Sequence, residues 1–429
     1  MQGNALNIIL VTVVLFAIDY YILRGIHAAF SKWKFTHKKW FLGLYWFSAV
    51  FLITILMLSV YTKLPVGVRG AFLFLFFILF IFKLFYVLFI LIDDIRRFII
   101  YHLKKKPAIT DAHAPATQTD KKGFSSIPRS EFLMKAGLLA GAIPLATIKY
   151  TMSKGLYDYQ IKNVKLYLPQ LPKKFDGMRI GQISDIHSGS FHSKWQMKTG
   201  VDMLLNQKTD VIFFTGDLVN SQSEEVKNYI DVFSKVRAPL GVYSILGNHD
   251  YGDYGKWPTP AAKTKNFTDM LQAHKELGWD LLTDEHRRLK VDGEEIGVLG
   301  IGNWGELSRF PKYGKMDLAV KNTDDLPVKL LLSHDPSHWR AQVLPQYPQI
   351  DVMFSGHTHG MQFGVRTNDF QWSPIEYVYK EWAGLYREAH QQIYVNVGYG
   401  FLGYPGRIGM LPEITIFELT AGTDPSLKA

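Results

Sequence analysis

The sequence predicts an α-helical transmembrane region followed by an α/β domain whose sheets are covered by helices. Two patterns in its 429 residues support this division. The first third contains apolar runs close to the roughly 20 residues that a helix needs to cross a bilayer core. From about Asp158 onward, short β-branched runs alternate with amphipathic segments of helical length, which is the pattern of an α/β domain. The predicted strands are Arg179–Ile183, Val211–Phe214, Val242–Leu246, Ile296–Ile301, Val328–Leu332, Asp351–Phe354, Ile393–Val397 and Ile414–Leu419. The predicted helices are Lys194–Gln207, Glu224–Val236, Thr268–Leu277 and Ser337–Leu344.

Three apolar runs predict a transmembrane region at residues 1–106, with spans at Ala5–Leu23, Trp40–Tyr61 and Ala71–Ile92. Helices that are apolar on all sides over this length are rare in the cores of soluble proteins. The third run contains one lysine, Lys83. Because a charge in the membrane is costly when it faces lipid, we expect Lys83 to face the other helices.

A fourth apolar helix is predicted at residues 132–150, after a basic polar linker at residues 107–131. It is shorter than the first three runs and richer in glycine and alanine. The residues before it resemble part of a twin-arginine export signal, with Ser130 in place of the second arginine after Arg129. We interpret the helix as a signal anchor that crosses the membrane. A cleaved signal and a helix lying on the membrane surface are the alternatives.

The formal charge of +10 is concentrated in the first third of the chain. Residues 1–150 contain 18 Lys and Arg against 6 Asp and Glu, whereas residues 151–429 contain 30 against 32. The basic excess therefore accompanies the apolar runs and is typical of membrane topology. For this reason we expect no nucleic-acid partner. The chain contains no cysteine, which excludes disulfides, thiol nucleophiles and thiolate metal ligands.

The loops that are rich in Lys and Arg are expected to remain in the cytoplasm. These loops follow the first and third runs, whereas the loop between the second and third runs has only Lys63 and Arg69. If the fourth helix crosses the inner or plasma membrane, the domain at residues 155–429 lies on the outer, periplasmic or extracellular, face. If it does not cross, the domain is cytoplasmic. We favour the outer face.

Clusters of Asp, Asn and His follow five of the predicted strands. They are Ser184-Asp185-Ile186-His187, Gly216-Asp217, Gly247-Asn248-His249-Asp250, Ser333-His334-Asp335 and Gly356-His357-Thr358-His359-Gly360. Sites in open α/β sheets form where strands end, so the clusters are expected to converge. Side chains i and i+2 of an extended chain point to the same side, so Asp185 and His187 can reach one ion. Imidazole and oxygen ligands without thiolate suit Mn, Fe, Co, Ni or Zn.

The five clusters, in this order, resemble the motif set of the calcineurin-like metallophosphoesterase superfamily. The resemblance implies a sandwich of two sheets flanked by helices, and a centre that holds two divalent metal ions. It assigns the ligands as follows: the first ion is bound by Asp185, His187 and His359, the second ion is bound by Asn248, His334 and His357, and Asp217 bridges both ions.

The resemblance also implies roles for residues around the metals. His249 would donate a proton to the leaving group or stabilise developing charge, and Asp250 would orient His249. Asn220 replaces an acidic residue that often follows the second motif. The segment Gly403–Gly409 resembles a C-terminal loop of the membrane-linked, exported bacterial branch. Its Arg407 is expected either to bind a substrate phosphate, together with Asn248, or to stabilise a turn.

The predicted activity is hydrolysis of a phosphodiester, phosphomonoester or pyrophosphate by a hydroxide that bridges the two metals. Attachment to a membrane favours an envelope or lipid-linked substrate. The many aromatic residues from Trp304 to Tyr404 indicate either a core or an apolar rim for such a substrate. A cytoplasmic nucleotide-lipid pyrophosphatase and a catalytically idle, metal-bound membrane scaffold are the alternatives. The sequence leaves the oligomeric state open.

Overall fold

The computed structural model describes residues 2–30, 32–62, 66–103, 129–153, 155–191, 193–367 and 369–425. The chain divides into two compact units, Met1–Lys149 and Tyr150–Ala429. The predicted linker at residues 107–131 lies outside the described residues, except for its last three positions.

Four long helices begin in the first unit. They are α1 (Gln2–Ala29), α2 (Lys39–Tyr61), α3 (Val66–Leu103) and α4 (Arg129–Ser153). Among the described residues, three helices are long and apolar enough to cross a membrane, within α1, α2 and α3. The fourth predicted helix is present and extends beyond residues 132–150 at both ends. That α4 crosses the membrane stays a prediction.

Lys83 is paired within the helices of the first unit. Its Nζ lies 2.7 Å from Oδ1 of the buried Asp19, which links α3 to α1. The hydroxyl of Tyr45, in α2, donates to the backbone carbonyl of Asp19 at 2.7 Å. Three helices therefore meet at one polar contact, where neither charge faces lipid.

The second unit contains fourteen described strands. In chain order they are β1 (Gln160–Leu168), β2 (Arg179–Ile183), β3 (Val211–Phe214), β4 (Val242–Ser244), β5 (Asp280–Leu281), β6 (Glu285–Val291), β7 (Glu294–Gly300), β8 (Lys329–Leu332), β9 (Val352–Ser355), β10 (Val365–Arg366), β11 (Gln371–Trp372), β12 (Gly384–Glu388), β13 (Gln391–Val395) and β14 (Glu413–Ala421). The helices are α5 (Lys194–Leu205), α6 (Glu224–Lys227), α7 (Ile230–Phe233), α8 (Pro260–Leu277), α9 (Met316–Ala319) and α10 (Leu344–Gln346).

Twelve of these strands form two mixed six-stranded sheets, which confirms the predicted sandwich. The first sheet has the order β1-β14-β2-β3-β4-β5 and the second has the order β12-β13-β9-β8-β7-β6. Strands β2, β3 and β4 run parallel to one another, as do β7, β8, β9 and β13. β10 and β11 form a separate antiparallel hairpin.

An apolar core fills the space between the two sheets. Phe213 of β3 contacts Phe354 of β9 at 5.1 Å between ring centroids, and Phe354 contacts Phe417 of β14 at 5.0 Å. All three side chains are fully buried. These edge-to-face contacts hold β9 of the second sheet against the middle of the first, so the strand ends of both sheets lie at a common edge.

The helices differ from their predicted bounds for local reasons. The predicted helix at Thr268–Leu277 begins at Pro260, because Thr259 caps the first turn and proline is tolerated at the start of a helix. The segment predicted as one helix from Glu224 to Val236 is divided into α6 and α7. Tyr229 lies between them with φ −124°, outside the helical range.

We expect that removing the charge of Lys83 destabilises the transmembrane helices. Lys83→Met leaves Asp19 buried without its cation, a change that costs about 3–5 kcal/mol for a buried pair. Denaturant titration of the full chain in detergent, followed by helix content, measures the loss. The double variant Asp19→Leu/Lys83→Met should recover more than half of it. Equal stability of the single variant and the wild type would contradict a structural role for the pair.

Candidate metal centre

Five loops bring the predicted site residues together, and each follows a strand of one of the two sheets. The loops after β2, β3, β4, β8 and β9 carry, in that order, Asp185 with His187, Asp217, Asn248, His334, and His357 with His359. Three of these strands belong to the first sheet and two belong to the second. The centre therefore lies where the carboxyl ends of both sheets meet.

The first cluster consists of Asp185, His187 and His359, all of them buried. Nε2 of His359 lies 3.3 Å from Oδ1 of Asp185 and 3.0 Å from Nε2 of His187. The three ligand atoms lie within 4.8 Å of one another, so one cation can contact all of them. These are the residues to which the family resemblance assigns the first metal.

The second cluster consists of Asp217, His334 and His357. Nε2 of His334 lies 3.1 Å from Oδ2 of Asp217 and 3.3 Å from Nδ1 of His357. Oδ2 of Asp217 also lies 3.6 Å from Nε2 of His187, in the first cluster. Asp217 thus contacts both clusters, which is the position that a bridging ligand requires.

Asn248 lines the same cleft as Asp217 and His357, and the family resemblance expects its side-chain oxygen to bind the second ion. Its Nδ2 donates to the hydroxyl of Tyr254 at 3.0 Å, whereas its Oδ1 is buried and has no hydrogen-bond partner among the described residues. Leaving a buried acceptor unpaired costs about 1–3 kcal/mol, a cost that a bound cation removes. Imidazole, carboxylate and amide oxygens without thiolate match borderline divalent metals. The residues present therefore fit two divalent ions.

Partners outside the clusters orient two of the imidazoles. Nδ1 of His334 lies 2.7 Å from the carbonyl oxygen of Thr215, so Nδ1 carries the hydrogen and Nε2 faces the cluster. His357 is oriented in the opposite way, because its Nε2 lies 2.9 Å from the hydroxyl of Tyr379 and its Nδ1 faces the cluster. Tyr379 was predicted only as one of the aromatic residues of a core or apolar rim, because it follows His357 by 22 positions and belongs to no motif.

The ligand loops are not extended, contrary to the geometry that we expected. Asp185 and His187 have φ of 52° and 50°, and His357 and His359 have φ of 74° and 52°. Asp217 is also in this left-handed region, at 59°. The side chains converge because the backbone turns sharply at each ligand. Such conformations cost roughly 1–3 kcal/mol each and persist where surrounding contacts hold them.

Two glycines allow the ligand carboxylates to approach the neighbouring loops. A Cβ atom on Gly356 would lie 2.1 Å from Oδ2 of Asp185, and one on Gly247 would lie 2.2 Å from Oδ1 of Asp217. Any side chain at either position would push a metal ligand away from its cluster. Gly247 and Gly356 are therefore required because a larger residue at either position would clash with a ligand carboxylate.

The charges of the two clusters are strongly coupled. Burial alone would lower the pKa of His334, but Asp217 and Asp185 outweigh burial and raise this pKa to about 10. Burial would raise the pKa of Asp217, but His334 and His249 hold it well below its usual value. Burial also lowers the pKa of His187 well below its usual value. In the metal-free protein, the protonated His334 carries a positive charge that balances part of the negative charge of Asp217 and Asp185.

Asp250 does not orient His249, which corrects the prediction from the sequence. Its carboxylate instead accepts hydrogen bonds from the backbone N–H groups of Asp217, Leu218 and Gly247, at 2.9, 2.8 and 2.9 Å. Burial and the charge of Asp217 raise the pKa of Asp250 to about 7, and its backbone donors oppose that rise. Asp250 fixes the loop that presents the bridging carboxylate.

His249 is oriented by a backbone carbonyl. Its Nδ1 lies 2.6 Å from the carbonyl oxygen of Asn220, so Nδ1 donates and Nε2 is left to exchange a proton. The backbone N–H of Asn220 in turn donates to Oε2 of Glu225 at 2.6 Å. The loss of an acidic side chain at position 220 therefore leaves this orientation intact. Glu225, which the sequence analysis missed, holds the loop in place.

Arg407 is not placed to bind a substrate phosphate. Its side chain is fully buried, and its guanidinium donates to the carbonyls of Gly400, Met410 and Val397, at 2.9, 3.1 and 2.8 Å. Nη2 also lies 3.2 Å from Nδ1 of His359. Arg407 therefore stabilises its own loop beneath the first cluster, which is the alternative that the sequence left open.

A cleft of about 400 Å³ opens onto the clusters and is lined by Asp217, Asn248, His249 and His357. An exposed arginine that the sequence analysis did not identify, Arg309, also lines it. It precedes β8 by 20 residues and belongs to no motif, so only the fold brings it to the site. A guanidinium in this place offers a phosphate the cationic fork that we had expected from Arg407.

Both parts of the chain match families of known proteins. Residues 178–361 match the family "Calcineurin-like phosphoesterase". Residues 5–156 match the family "Probable Calcineurin-like phosphoesterase, transmembrane domain". The second match includes all four helices of the first unit and supports the attachment of this chain to a membrane.

Three relatives illustrate the similarity. The chain is 30% identical to the uncharacterized metallophosphoesterase YkuE of Bacillus subtilis, over 69% of this chain and 99% of that protein. It is 28% identical to a transmembrane protein with metallophosphoesterase domain of Danio rerio, over 65% of this chain and 61% of that protein. It is 27% identical to the UDP-2,3-diacylglucosamine pyrophosphatase LpxG of Chlamydia muridarum, over 46% of this chain and 68% of that protein.

We expect metal binding to release protons. A histidine must be neutral to bind a metal, and the pKa of about 10 for His334 keeps it protonated at pH 7 in the metal-free protein. The apparent affinity for Mn²⁺ should rise roughly tenfold per pH unit for each proton released, up to about pH 10. Calorimetric titration of the metal-free full chain, in two buffers of different ionisation enthalpy, measures the number of protons. Identical heats in both buffers would contradict the prediction.

Proposed function

The chain belongs to the calcineurin-like metallophosphoesterase family, and from that premise we propose that it hydrolyses a phosphate ester or anhydride of a lipid-linked or envelope substrate, on the outer face of the membrane. The observation that carries the proposal is the pair of ligand clusters that share Asp217, together with His249 in the wall of the same cleft. A substrate phosphate in this cleft would contact groups from the loops after β3, β4 and β9.

Each group in the cleft has a distinct task in such a reaction. Two divalent ions, when bound, supply a hydroxide and neutralise the charge of the phosphate. Asp217 holds the two ligand sets together, and Asn248 offers its unpaired oxygen from the lining of the same cleft. Arg309 binds the phosphate from the mouth of the cleft, where its charge is exposed to solvent.

His249 acts as the proton donor to the leaving group. Nδ1 is held by the carbonyl of Asn220, and the backbone N–H of His249 donates to Oδ1 of Asp217 at 2.9 Å. The ring and the backbone of His249 are therefore each held by one hydrogen bond, beside the bridging ligand. A protonated imidazole in this place can give its Nε2 hydrogen to a departing alkoxide, which otherwise leaves with a full negative charge.

The substrate class follows from attachment to the membrane and from one relative. A chain with transmembrane helices meets amphiphilic phosphates at high local concentration. The name of the relative LpxG describes a pyrophosphatase that acts on a nucleotide-linked diacyl sugar. This supports a lipid-linked phosphate or pyrophosphate as the substrate. It also supports the second candidate, a pyrophosphatase for nucleotide-linked lipids that faces the cytoplasm.

We expect the effect of His249→Ala to depend on the leaving group. With an alkyl phosphodiester, kcat should fall roughly 10²- to 10⁴-fold, because the alkoxide needs a proton. With a 4-nitrophenyl ester, which leaves without a proton, the fall should be far smaller. Initial rates of the full chain with both substrates, at matched metal content, measure the difference. The exposed His390→Ala serves as the control, and equal losses for both leaving groups would contradict the assignment.

The orientation can be tested by labelling, because the chain has no native cysteine. Trp195 is 75% exposed and Trp33, in the first basic loop, is 55% exposed. A membrane-impermeant maleimide applied to intact cells should label Trp195→Cys, whereas Trp33→Cys should be labelled only after permeabilisation. The opposite pattern at Trp195→Cys would place the catalytic domain in the cytoplasm and favour the second candidate.

A further inference from the structure

The β10–β11 hairpin directs its polar side chains toward the domain and its apolar side chains away from it. Its polar residues face the domain: Arg366 forms an ion pair with the buried Glu413, and Nε2 of Gln371 donates to the carbonyl of Ala383 at 3.2 Å. A hairpin on the surface of a soluble domain normally buries its apolar face and exposes its polar face. Here the polar residues provide the attachment instead.

The outward face of the hairpin is apolar. Val365 and Trp372 are paired across the two strands, so their side chains share one face. The ring of Phe363 packs edge-on against Trp372, at 6.4 Å between centroids. Phe363, Val365 and Phe370 remain 40%, 46% and 60% exposed. Since strand side chains alternate, Val365 and Trp372 lie on the side opposite to Arg366, and Phe363 packs against Trp372 on that side.

This face continues beyond the hairpin. Nε1 of Trp372 lies 3.4 Å from the hydroxyl of Tyr377, which is 77% exposed, and the following Val378 is 53% exposed. We refer to the exposed apolar residues of this region as the apolar platform. It consists of Met361, Phe363, Val365, Phe370, Tyr377 and Val378. Together they form an exposed apolar surface of the kind that marks a binding site.

The apolar platform begins and ends at the metal centre. Met361 follows the ligand His359 by two residues and lines the cleft. At the other end, Val378 precedes Tyr379, whose hydroxyl contacts His357 at 2.9 Å. The cationic Arg309 lines the same cleft. A phosphate in the cleft thus has metal ligands and a guanidinium around it, and an apolar surface leading away from it.

The charges near the apolar platform favour a hydrocarbon chain over an anionic bilayer surface. Among the described residues from 361 to 378, the only basic side chain is Arg366, which is already paired with Glu413. Asp369 is exposed within the hairpin. A surface that docks on anionic lipid headgroups needs a cluster of exposed Lys or Arg. This segment presents none, and the exposed Lys380 that follows it is a single charge.

We propose that the apolar platform binds the hydrocarbon chain of an amphiphilic phosphoester whose phosphate occupies the metal centre. This inference rests on the proposed function and specifies its substrate class. The chain would lie along Met361 and Phe363 toward Phe370, and it would cover part of the exposed aromatic surface. Specificity then arises from chain length, because each buried methylene adds binding free energy that a short ester lacks.

A series of alkyl 4-nitrophenyl phosphodiesters, from methyl to octyl and below the concentrations at which they form micelles, tests this. The full chain in lipid nanodiscs should show kcat/KM rising by up to about fourfold for each methylene that becomes buried. In the triple variant Phe363→Ser/Phe370→Ser/Tyr377→Ser, the increase should be largely lost. Activity on the methyl ester should stay within twofold of wild type, which also shows that the variant is folded.

The control is Trp195→Ser, which replaces an aromatic residue on α5 that is 75% exposed and lies outside the apolar platform. It should keep the wild-type dependence on chain length. A flat dependence in the wild type, or an unchanged one in the triple variant, overturns the inference and leaves the phosphoesterase activity standing. A dependence on chain length that is present in nanodiscs and absent in detergent also overturns the inference, because it indicates that the apolar platform docks on the membrane instead. No hydrolysis of even the methyl ester, with metal bound, contradicts the proposed function and this inference together.

Discussion

The backbone N–H of His357 donates to both oxygens of the Asp185 carboxylate, at 2.9 and 3.0 Å, and this contact joins the metal-binding edges of the two sheets. The N–H of His249 donates to Asp217 in the same way within the first sheet. The carboxylates that attract cations therefore also fix the loops that carry the other ligands. Because charge-assisted bonds of this kind are strong, the ligand geometry is held before any metal arrives.

The strands predicted from the sequence are the eight in the interiors of the two sheets, from β2 to β4, β7 to β9, β13 and β14. The missed strands of these two sheets, β1, β5, β6 and β12, are all edges, and the separate β10–β11 hairpin was missed as well. Interior strands are covered on both faces and read as continuous apolar runs, whereas an edge strand keeps polar residues. Glu285–Val291, with its four charged residues, carries no such run. Apolar runs in the sequence therefore predict the interior strands of a sheet but not its edge strands.

The metal ligands could be predicted because each is part of a short motif at a strand end. The residues that support them could not, since their roles depend on contacts that are distant in sequence. Tyr379 reaches His357, and Arg309 reaches the cleft, only through the fold. Asp250 and Arg407 were recognised as important, but their hydrogen bonds go to backbone groups. The sequence shows that a side chain is polar, but only the tertiary structure shows which group is its hydrogen-bond partner.

The left-handed backbone at five of the six Asp and His ligands limits how this centre can change over evolution. Asp, Asn and His are the non-glycine residues that adopt this conformation most readily, and they are also hard or borderline ligands. A residue that replaces one of these ligands must therefore both adopt the left-handed backbone conformation and offer an atom that binds the ion. Bulky and β-branched residues fail the first requirement whatever they bind. The fold thus restricts the centre to oxygen and imidazole donors, and with them to the ions that such donors prefer.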